Sequence, residues 1–264
     1  MKSIPAIAIM AAALLTSCAT QSATTTSPSP RPSPTGTASW SCVSSTEKGT
    51  CGPYHSYPRI TGAASKPWAG NDVWNPVSGW HQTFYAKDPG DWQAVANMPA
   101  NNTAVVSFPN TGVYYTGAVD SYSSFTSSFA EKMNATSATI ASAAYDMWFH
   151  NSGSVSEVMI TNDMANRGGC GTWAATNVRF GGSNGVPVRS WNLCQGTNTS
   201  WWNIADGNMN SGSVDILAMV KWLINHGHMA PESKFSSISY GFELCSTGGQ
   251  NETFQVTNFT ASAK

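Results

Sequence analysis

The amino-acid sequence predicts an all-β fold, a β-sandwich in one domain, on three observations. Between residues 68 and 149, short runs rich in Val, Tyr, Phe and Thr alternate with Gly, Pro and Asn, a pattern typical of many short strands joined by turns. Only one segment has clear helical periodicity. No internal repeat or second linker divides the chain, and its 41% hydrophobic content is sufficient for a sizeable core.

The one predicted helix is Val214–Asn225, whose apolar residues recur at helical spacing. Ser213 is its predicted N-cap. The helix is expected to end at His226 and Gly227, because glycine readily takes the backbone conformation that closes a helix. Pro231 then prevents the helix from resuming.

Residues 1–18 have the features of a signal peptide: Lys2, the apolar run Ile4–Leu15, and a small-residue end at Cys18. The apolar run is shorter than the roughly 20 residues needed to span a bilayer. The segment Leu15–Cys18 resembles a bacterial lipoprotein box, which predicts lipidation of Cys18; the alternative is an ordinary cleaved signal peptide.

Residues 19–39 are mostly Ser, Thr, Pro and Ala, a composition that cannot bury a core and is typical of a linker. The folded domain is therefore expected to cover residues 40–264. Together these features predict a secreted protein anchored to the outer face of a bacterial membrane.

The charge composition argues for an uncharged partner. Thirteen basic and 14 acidic residues nearly cancel, so no basic field attracts nucleic acid or anionic lipid. Contact with a membrane is expected only through the N-terminal lipid. The 11 Trp, 8 Tyr and 10 Phe exceed what a core requires and suit stacking on a neutral ligand, although core packing alone could account for most of them.

Apart from Cys18, the chain has five cysteines: Cys42, Cys51, Cys170, Cys194 and Cys245. Disulfides are expected in a secreted chain. Cys42 with Cys51 would close a short loop, and any two of the other three could pair. A metal site is not predicted, because C-x-x-C spacing is absent and His226 and His228 would point in different directions.

Two predicted strands, Tyr145–Phe149 and Val155–Ile160, form a hairpin around the loop His150–Ser154. If the hairpin is symmetric about that loop, Asp146 lies directly opposite Glu157 on the same face of the sheet. Like charges in such a position repel, so one of the two acids is expected to hold a proton. Proteins tolerate this arrangement mainly where it serves chemistry.

Period-two alternation assigns the two faces of this hairpin. The expected core face carries Tyr145, Met147, Phe149, Val158 and Ile160. The other face carries Asp146, Trp148, Glu157 and Met159. A mixture of acids with Met and Trp suits a sugar-binding groove better than a plain solvent face.

A third acid lies in the predicted strand Ser237–Cys245, where Glu243 alternates with Ile238, Tyr240, Phe242 and Leu244. Glu243 therefore also faces away from the core. Gly241 leaves the strand open on that face, as needed if another molecule approaches closely. Each acid alone could be a solvated strand residue, but the joint occurrence of three acids in apolar strands, among only 14 acidic residues in the chain, favours a functional role.

Three segments, Tyr145–Phe149, Glu157–Ile160 and Gly241–Glu243, resemble the active-site strands of glycoside hydrolase family 12 and occur in that family's order. The similarity runs from about Asn71 to Thr260. It also includes Asn71–Trp74, Ser107–Asn110, Ser190–Asn192 and the helix. The resemblance implies a β-jelly roll of two curved antiparallel sheets, with one α-helix packed on the convex face and a concave cleft.

The same resemblance implies roles for individual residues. Glu157 matches the family's nucleophile, Glu243 its general acid/base, and Asp146 the acid that positions the nucleophile. The matching substrate-binding positions are Trp74, Asn71, Met159 and Trp148. The chemistry implied is a retaining, double-displacement hydrolysis that needs no metal or other cofactor.

Three positions depart from the family pattern. Thr161 replaces a Trp that forms a wall of the cleft, Leu244 replaces a Pro, and Asp72 replaces an Asn that binds substrate. These departures bear on the choice of substrate, and the catalytic carboxylates are all present.

The resemblance therefore implies an endo-β-1,4-glucanase, expected to be a monomer, that acts on cellulose-like glucan, mixed-linkage β-glucan or xyloglucan. The alternative is a glucan-binding surface lipoprotein without turnover, and a structural envelope protein without glucan affinity is a third hypothesis. Hydrolysis, binding without hydrolysis, and the absence of binding would distinguish the three.

Overall fold

The computed structural model describes residues 40–44, 49–50 and 57–264. Within these ranges the chain is almost entirely β-structure. The first eight strands are β1 Trp40–Ser44, β2 Gly49–Thr50, β3 Ile60–Thr61, β4 Trp68–Val73, β5 His81–Asp88, β6 Asp91–Asn97, β7 Ser107–Tyr114 and β8 Phe125–Met133. The remaining strands are β9 Thr139–Asn151, β10 Ser154–Ala165, β11 Ala175–Phe180, β12 Arg189–Gln195, β13 Thr199–Ile204, β14 Ser211–Asp215, β15 Lys234–Thr247 and β16 Asn251–Ala263.

The strands form two sheets. One has the order β1-β5-β6-β16-β8-β14, with the short β3 beside β16, and the other has the order β11-β12-β13-β10-β9-β15-β7-β4-β2. All neighbouring strands in the described part are antiparallel except the pairs β10 with β13 and β3 with β16. The predicted all-β fold, a β-jelly roll of two sheets with one helix, is confirmed.

Aromatic side chains fill the space between the two sheets. Tyr145 of β9 and Tyr240 of β15 lie with ring centroids 4.7 Å apart, and Phe129 of β8 reaches Tyr240 from the other sheet at 5.1 Å. All three are buried. The hairpin residues predicted for the core face, Tyr145, Met147, Phe149, Val158 and Ile160, are all buried as expected.

The helix α1 spans Ile216–Asn225, two residues shorter than predicted. The prediction of Ser213 as its N-cap is wrong, because Ser213 and Val214 are paired in β14 with β8. Asp215 caps the helix instead, and its Oδ1 accepts a hydrogen bond of 3.0 Å from the Ala218 amide. The predicted C-terminus is confirmed: Gly227 follows with φ of 74°.

The helix packs on the nine-stranded sheet. Trp222 of α1 meets Trp202 of β13 edge to face, at a centroid distance of 5.1 Å. Trp202 is fully buried, whereas its neighbour Trp201 points to the other face of the same strand. The helix therefore covers the face opposite the cleft described below. Within the described residues, no helix is long and apolar enough to cross a membrane.

Several predictions fall on parts of the chain that the structure does not describe. They are the signal segment 1–18 with Cys18, the linker 19–39, and the pairing of the Cys42 and Cys51 side chains. Among the other cysteines the structure resolves the choice left open, because Cys170 and Cys194 form a disulfide with a Cα–Cα distance of 5.7 Å. Cys245 is buried beside Ile140.

Candidate active site

The hairpin of β9 and β10 places two acids on the concave face of the nine-stranded sheet, but in a different register from the one predicted. Asp146 pairs with Met159, and Glu157 pairs with Trp148. The expectation that Asp146 lies directly opposite Glu157 is therefore wrong by two residues. The turn contains two residues, 152 and 153, where five were expected, and Gly153 takes a φ of 85°. A shift of two keeps both acids on the same face.

Asp146 is buried at the centre of this face, with 7% of its surface exposed. Trp148 Nε1 donates a hydrogen bond of 3.1 Å to its Oδ2. Burial raises the pKa of Asp146 well above the usual range, and the nearby Glu157 carboxylate raises it further. The surroundings of Asp146 therefore favour its protonated form more than water would.

Glu157 is more accessible and has a hydrogen-bond donor of its own. Thr199 Oγ1, on the parallel neighbour β13, donates to Glu157 Oε2 at 2.9 Å. Burial raises the pKa of Glu157, while the Thr199 hydroxyl opposes that rise because it favours the carboxylate form. Burial thus raises the pKa of both acids, that of Asp146 well above its usual range, and the Thr199 hydroxyl opposes the rise at Glu157.

Glu243 lies on β15, the strand on the other side of β9, and faces the cleft as predicted. Its Oε2 accepts a hydrogen bond of 3.0 Å from Ser142 Oγ and contacts the Arg167 guanidinium. The Glu243 and Arg167 side chains are each 13% exposed. Glu243 is therefore an ion-paired carboxylate in this structure.

The three acids form a diagonal across the concave face. Glu157 is level with Trp148 on β9, whereas Glu243 is level with Ser142, six positions nearer the start of that strand. The two glutamates flank β9 on opposite sides. All three acids are on the same face of the sheet, and the level of Asp146 on β9 lies between the levels of the two glutamates.

Aromatic and sulfur-containing side chains line the same face. Trp74 is 39% exposed and lies 6.0 Å from Phe108, which leaves an indole surface open for stacking. Trp148 is half-buried. Met159 is nearly buried, and its sulfur accepts a contact from Trp201 Nε1. The structure thus brings the predicted residues Trp74, Trp148 and Met159 to the cleft face.

Asn71 is placed differently from the prediction. Its neighbours in alternation, Ala69 and Val73, pack in the core, and Asn71 is only 3% exposed on that same side. Asp72 faces the cleft instead: Asn110 Nδ2 donates to it at 3.2 Å, and its charge acts on Asp146. A ligand in the cleft would meet Asp72, so the assignment of Asn71 as a substrate-binding residue is corrected.

Gly241 has a structural explanation. A Cβ atom at this position would collide with the backbone of Pro109 and Asn110 on β7. The glycine is therefore required by the close packing of two neighbouring strands, and the expectation that it makes room for another molecule is wrong. Leu244 is fully buried in the core, so this departure from the family pattern does not line the cleft.

A cavity of about 270 Å³ lies beside Glu243. Its walls include Met159, Thr161, Arg167 and Trp201. Thr161 occupies the position where a wall-forming Trp was expected, and the Trp201 indole, supplied by β13, provides an aromatic wall to the same cavity. Within the described residues, no group of three or more His, Cys, Asp or Glu side chains is arranged to hold a metal ion.

Sequence reasoning missed four residues of the site: Ser142, Arg167, Thr199 and Trp201. Ser142 had a usable signal, since it lies on the same period-two face as Asp146. Thr199 and Trp201 reach the site through a parallel pairing of β10 with β13, and Arg167 reaches it from a loop. Neither arrangement has a signature in local sequence.

No protein-family model matches the chain. Endoglucanase S of Pectobacterium parmentieri is 27% identical to it over 210 residues, which is 68% of this chain and 76% of that protein.

Several solved structures superimpose on the described fold. The xyloglucanase domain of the Sinorhizobium fredii effector NopAA, solved with cellobiose, is 20% identical and has a TM-score of 0.68 over 86% of this chain and 100% of that one. A family 12 xyloglucanase from Bacillus licheniformis is 19% identical, with a TM-score of 0.67 over 85% and 100% of the two chains. Endoglucanase cel12A of Rhodothermus marinus is 18% identical, with a TM-score of 0.66 over 86% and 99%.

These structural matches cover nearly the whole of each known enzyme, and their sequence identities are low. They therefore bear on the architecture rather than on the activity. The chain has the fold of the family 12 glycoside hydrolases, which confirms at the level of the fold the resemblance predicted from its three acid-bearing strands.

Proposed function

We propose that this protein is a retaining endo-β-1,4-glucanase of glycoside hydrolase family 12. The observation that carries the proposal is the placement of Glu157 and Glu243 on the two strands that flank β9, both facing the concave cleft. A relative in sequence is an endoglucanase, and solved structures of the same fold are xyloglucanases and endoglucanases.

In the proposed reaction, Glu157 attacks the anomeric carbon while Glu243 gives a proton to the departing glycosidic oxygen. Glu243 then takes a proton from the water that hydrolyses the glycosyl-enzyme. The Thr199 hydroxyl favours the ionised form of Glu157 that the first step requires. Asp146, protonated and hydrogen-bonded by Trp148, lies next to Glu157 without adding a second negative charge.

The proposed substrate is a neutral β-1,4-glucan: cellulose-like glucan, mixed-linkage β-glucan or xyloglucan. The exposed Trp74 indole offers a stacking surface for a glucosyl ring. A related fold has been solved with cellobiose, the disaccharide unit of such chains. No metal or cofactor takes part in the proposed mechanism.

The proposal is tested by release of reducing sugar from carboxymethyl-cellulose, barley β-glucan and xyloglucan. E157Q and E243Q should each lower kcat by about 10²- to 10⁴-fold or more, since each removes a group essential to one step. E232Q, at an exposed glutamate, is the matched control and should retain wild-type activity. Folded wild-type protein that releases no sugar from any of the three glucans would disprove the proposal.

The stereochemistry of the product is the second test. A retaining mechanism needs carboxyl groups about 5 to 5.5 Å apart, and an inverting one needs about 6.5 Å or more. Because Glu157 and Glu243 are offset along β9, the anomer formed first is an informative measurement. Proton NMR of fresh cello-oligosaccharide hydrolysate should show the β-anomer first, and the α-anomer first would reject the retaining assignment.

One observation favours the alternative function, a glucan-binding protein without turnover. Glu243 is paired with Arg167, which is unfavourable for a group that must carry a proton. That alternative predicts that wild type, E157Q and E243Q bind cello-oligosaccharides with equal affinity in calorimetry and that none of them hydrolyses a glucan.

The proposed location is the outer face of a bacterial membrane, with the domain held by a lipid on Cys18 and the linker 19–39. The support is the sequence Leu15–Cys18 and the composition that follows it. Wild-type protein should incorporate labelled palmitate in a bacterial host, and C18A should not. Equal labelling, or none in either, would reject the lipid anchor.

A further inference from the structure

The loop between β10 and β11 carries Arg167 and is fixed at two points. On one side, Asn166 Nδ2 donates to the Thr139 and Ser137 carbonyls at 2.9 and 3.1 Å, which ties the loop to the start of β9. On the other side, Cys170 is joined to Cys194 on β12. Arg167 therefore lies on a short segment whose two ends are bound to different strands of the cleft sheet.

These two anchors place the Arg167 guanidinium against Glu243. The guanidinium contacts Glu243 Oε2 and also donates to Ser142 Oγ, which itself donates to the same carboxylate oxygen. The ionic pair is largely shielded from water, since both side chains are 13% exposed. A shielded cation stabilises the ionised form of a neighbouring carboxyl group over its protonated form.

The pair forms one wall of the cavity of about 270 Å³. Glu243 lines this cavity and Glu157 does not, so a sugar unit bound there would touch the proton donor and not the nucleophile. In the proposed reaction, that is the leaving-group side of the bond to be cut. Arg167 thus lies beside the proton donor on the side of the cleft that would hold the leaving group.

We propose that Arg167 is a positioning residue that holds Glu243 as a carboxylate in the free enzyme. This inference rests on the function proposed above, in which Glu243 is the proton donor. It gives a role to a loop and a disulfide that the mechanism does not otherwise use.

The proton balance of the reaction fits this role. Glu243 must be protonated before the first step, it becomes a carboxylate when the glycosidic oxygen takes that proton, and it regains a proton from water in the second step. Arg167 favours the carboxylate stage, which acts as the base toward water. In the free enzyme, the same ion pair opposes the protonation of Glu243 that the first step requires.

The test is the pH dependence of kcat/KM, whose basic limb reports ionisation of the essential acid in the free enzyme. R167M removes the charge and keeps much of the side-chain volume, and its basic limb should move to higher pH by about one unit or more. R167K keeps the positive charge, and its basic limb should lie within about 0.3 pH units of the wild-type limb. R179M, at an exposed arginine on β11, is the matched control and should behave as wild type.

A purely structural role would give a different result. If R167M lowers the melting temperature but leaves the basic limb unchanged, Arg167 only stabilises the loop and the inference is wrong. If the limb moves equally in R167K and R167M, the charge of Arg167 is not the cause, and the inference fails as well.

A measurement without turnover separates this inference from the proposed function. With ¹³C-labelled glutamate, the signal that is missing in E243Q identifies the Glu243 carboxyl carbon, and its titration midpoint should be higher in R167M than in wild type. Loss of hydrolysis in E157Q and E243Q with no change of this midpoint in R167M would leave the glucanase in place and overturn the role of Arg167. If R167M shifts the titration midpoint of Glu243 but the wild-type protein hydrolyses no glucan, the effect of Arg167 on Glu243 stands and the proposed glucanase activity is rejected.

Discussion

Asp146 and Glu157 share the cleft face of the β9–β10 hairpin without being paired, because Asp146 pairs with Met159 and Glu157 with Trp148. The offset of two residues separates two acids that would otherwise lie directly opposite each other. It also leaves room for Trp148 to donate to Asp146 and for Thr199 to donate to Glu157. Each acid therefore has its own hydrogen-bond donor. The Trp148 indole favours the ionised form of Asp146, and the Thr199 hydroxyl favours the ionised form of Glu157.

The first prediction concerns the proton on Asp146. Its pKa is raised by burial and by Glu157, so the folded state binds this proton more tightly than the unfolded chain and loses stability as pH rises. D146N has no proton to lose, and it should melt at a higher temperature than wild type at pH 8 but not at pH 4. D146L also has no proton to lose but cannot accept from Trp148, so it should be about 1 kcal/mol less stable than D146N at both pH values.

Thermal unfolding followed by circular dichroism between pH 4 and 8 checks this prediction. If the D146N and wild-type melting temperatures keep a constant difference across the range, Asp146 is not protonated at neutral pH.

The second prediction concerns the Thr199 hydroxyl. It favours the ionised form of Glu157, and a hydrogen bond to a charged group is worth about 1.5 to 3 kcal/mol. T199V removes the donor at nearly constant volume, so the pKa of Glu157 should rise and the acid limb of kcat/KM should move to higher pH by about one unit. T199S keeps a hydroxyl and should retain the wild-type limb. An unmoved limb in T199V would show that this hydrogen bond does not control the nucleophile.

The faces of the strands could be predicted from the sequence, because they depend only on alternation. Val158 and Ile160 point into the core, and Glu157 and Met159 point to the cleft, as period two requires. The register was harder to predict, because it depends on the turn. A polar stretch of five residues around Gly153 contains several possible turns, and the two-residue turn is found in the structure.

The assignment of Asn71 illustrates a second reason why a prediction from the sequence can fail. The motif Asn71–Trp74 gives no indication of which of its first two residues faces the cleft, since β4 is short and carries few apolar residues to set the pattern. The packing of Ala69 and Val73 in the core assigns Asn71 to the inside and Asp72 to the cleft. The helix start was also misplaced for a tertiary reason, because pairing with β8 keeps Val214 in a strand.

Long-range pairing explains the remaining omissions. Thr199 is 42 residues from Glu157 in the chain, and Arg167 is 76 residues from Glu243. No local pattern reports such contacts, and the three cysteines 170, 194 and 245 left the position of the Arg167 loop open. The three acids could thus be identified from the alternation within their strands. Thr199 and Arg167, which contact two of these acids, are brought to the site by long-range pairing that the sequence does not show.

The third prediction concerns a second acid pair, between the sheets and outside the cleft. Burial, followed by the nearby Asp163 carboxylate, raises the pKa of Glu131 to about 9. Glu131 is on β8 and Asp163 is at the bulge of β10, so the pair joins the two sheets. The folded state holds the Glu131 proton, and its stability therefore falls as pH rises from about 4.5 toward 9.

E131Q is permanently neutral and should remove this pH dependence. It should gain about 2 kcal/mol over wild type at pH 8, or about 4 to 8 °C in melting temperature, and little at pH 4. E252Q is the contrasting control, because Glu252 accepts hydrogen bonds from Thr136 and Thr139 and its replacement should destabilise the protein by about 1 to 3 kcal/mol. An E131Q protein less stable than wild type at pH 8 would show that Glu131 is ionised in the fold.

The last prediction concerns the Cys170–Cys194 disulfide, which closes a loop with a sequence separation of 24. A loop of this length gives a stabilisation of about 3 kcal/mol through the unfolded state. The double variant C170S/C194S should therefore unfold at lower denaturant concentration. It should also free one of the two anchors of the Arg167 segment, so its basic limb of kcat/KM should move in the direction of R167M. A variant with lower stability but an unmoved limb would show that the Asn166 hydrogen bonds alone hold Arg167 on Glu243, since the disulfide would then contribute to stability without affecting the acid.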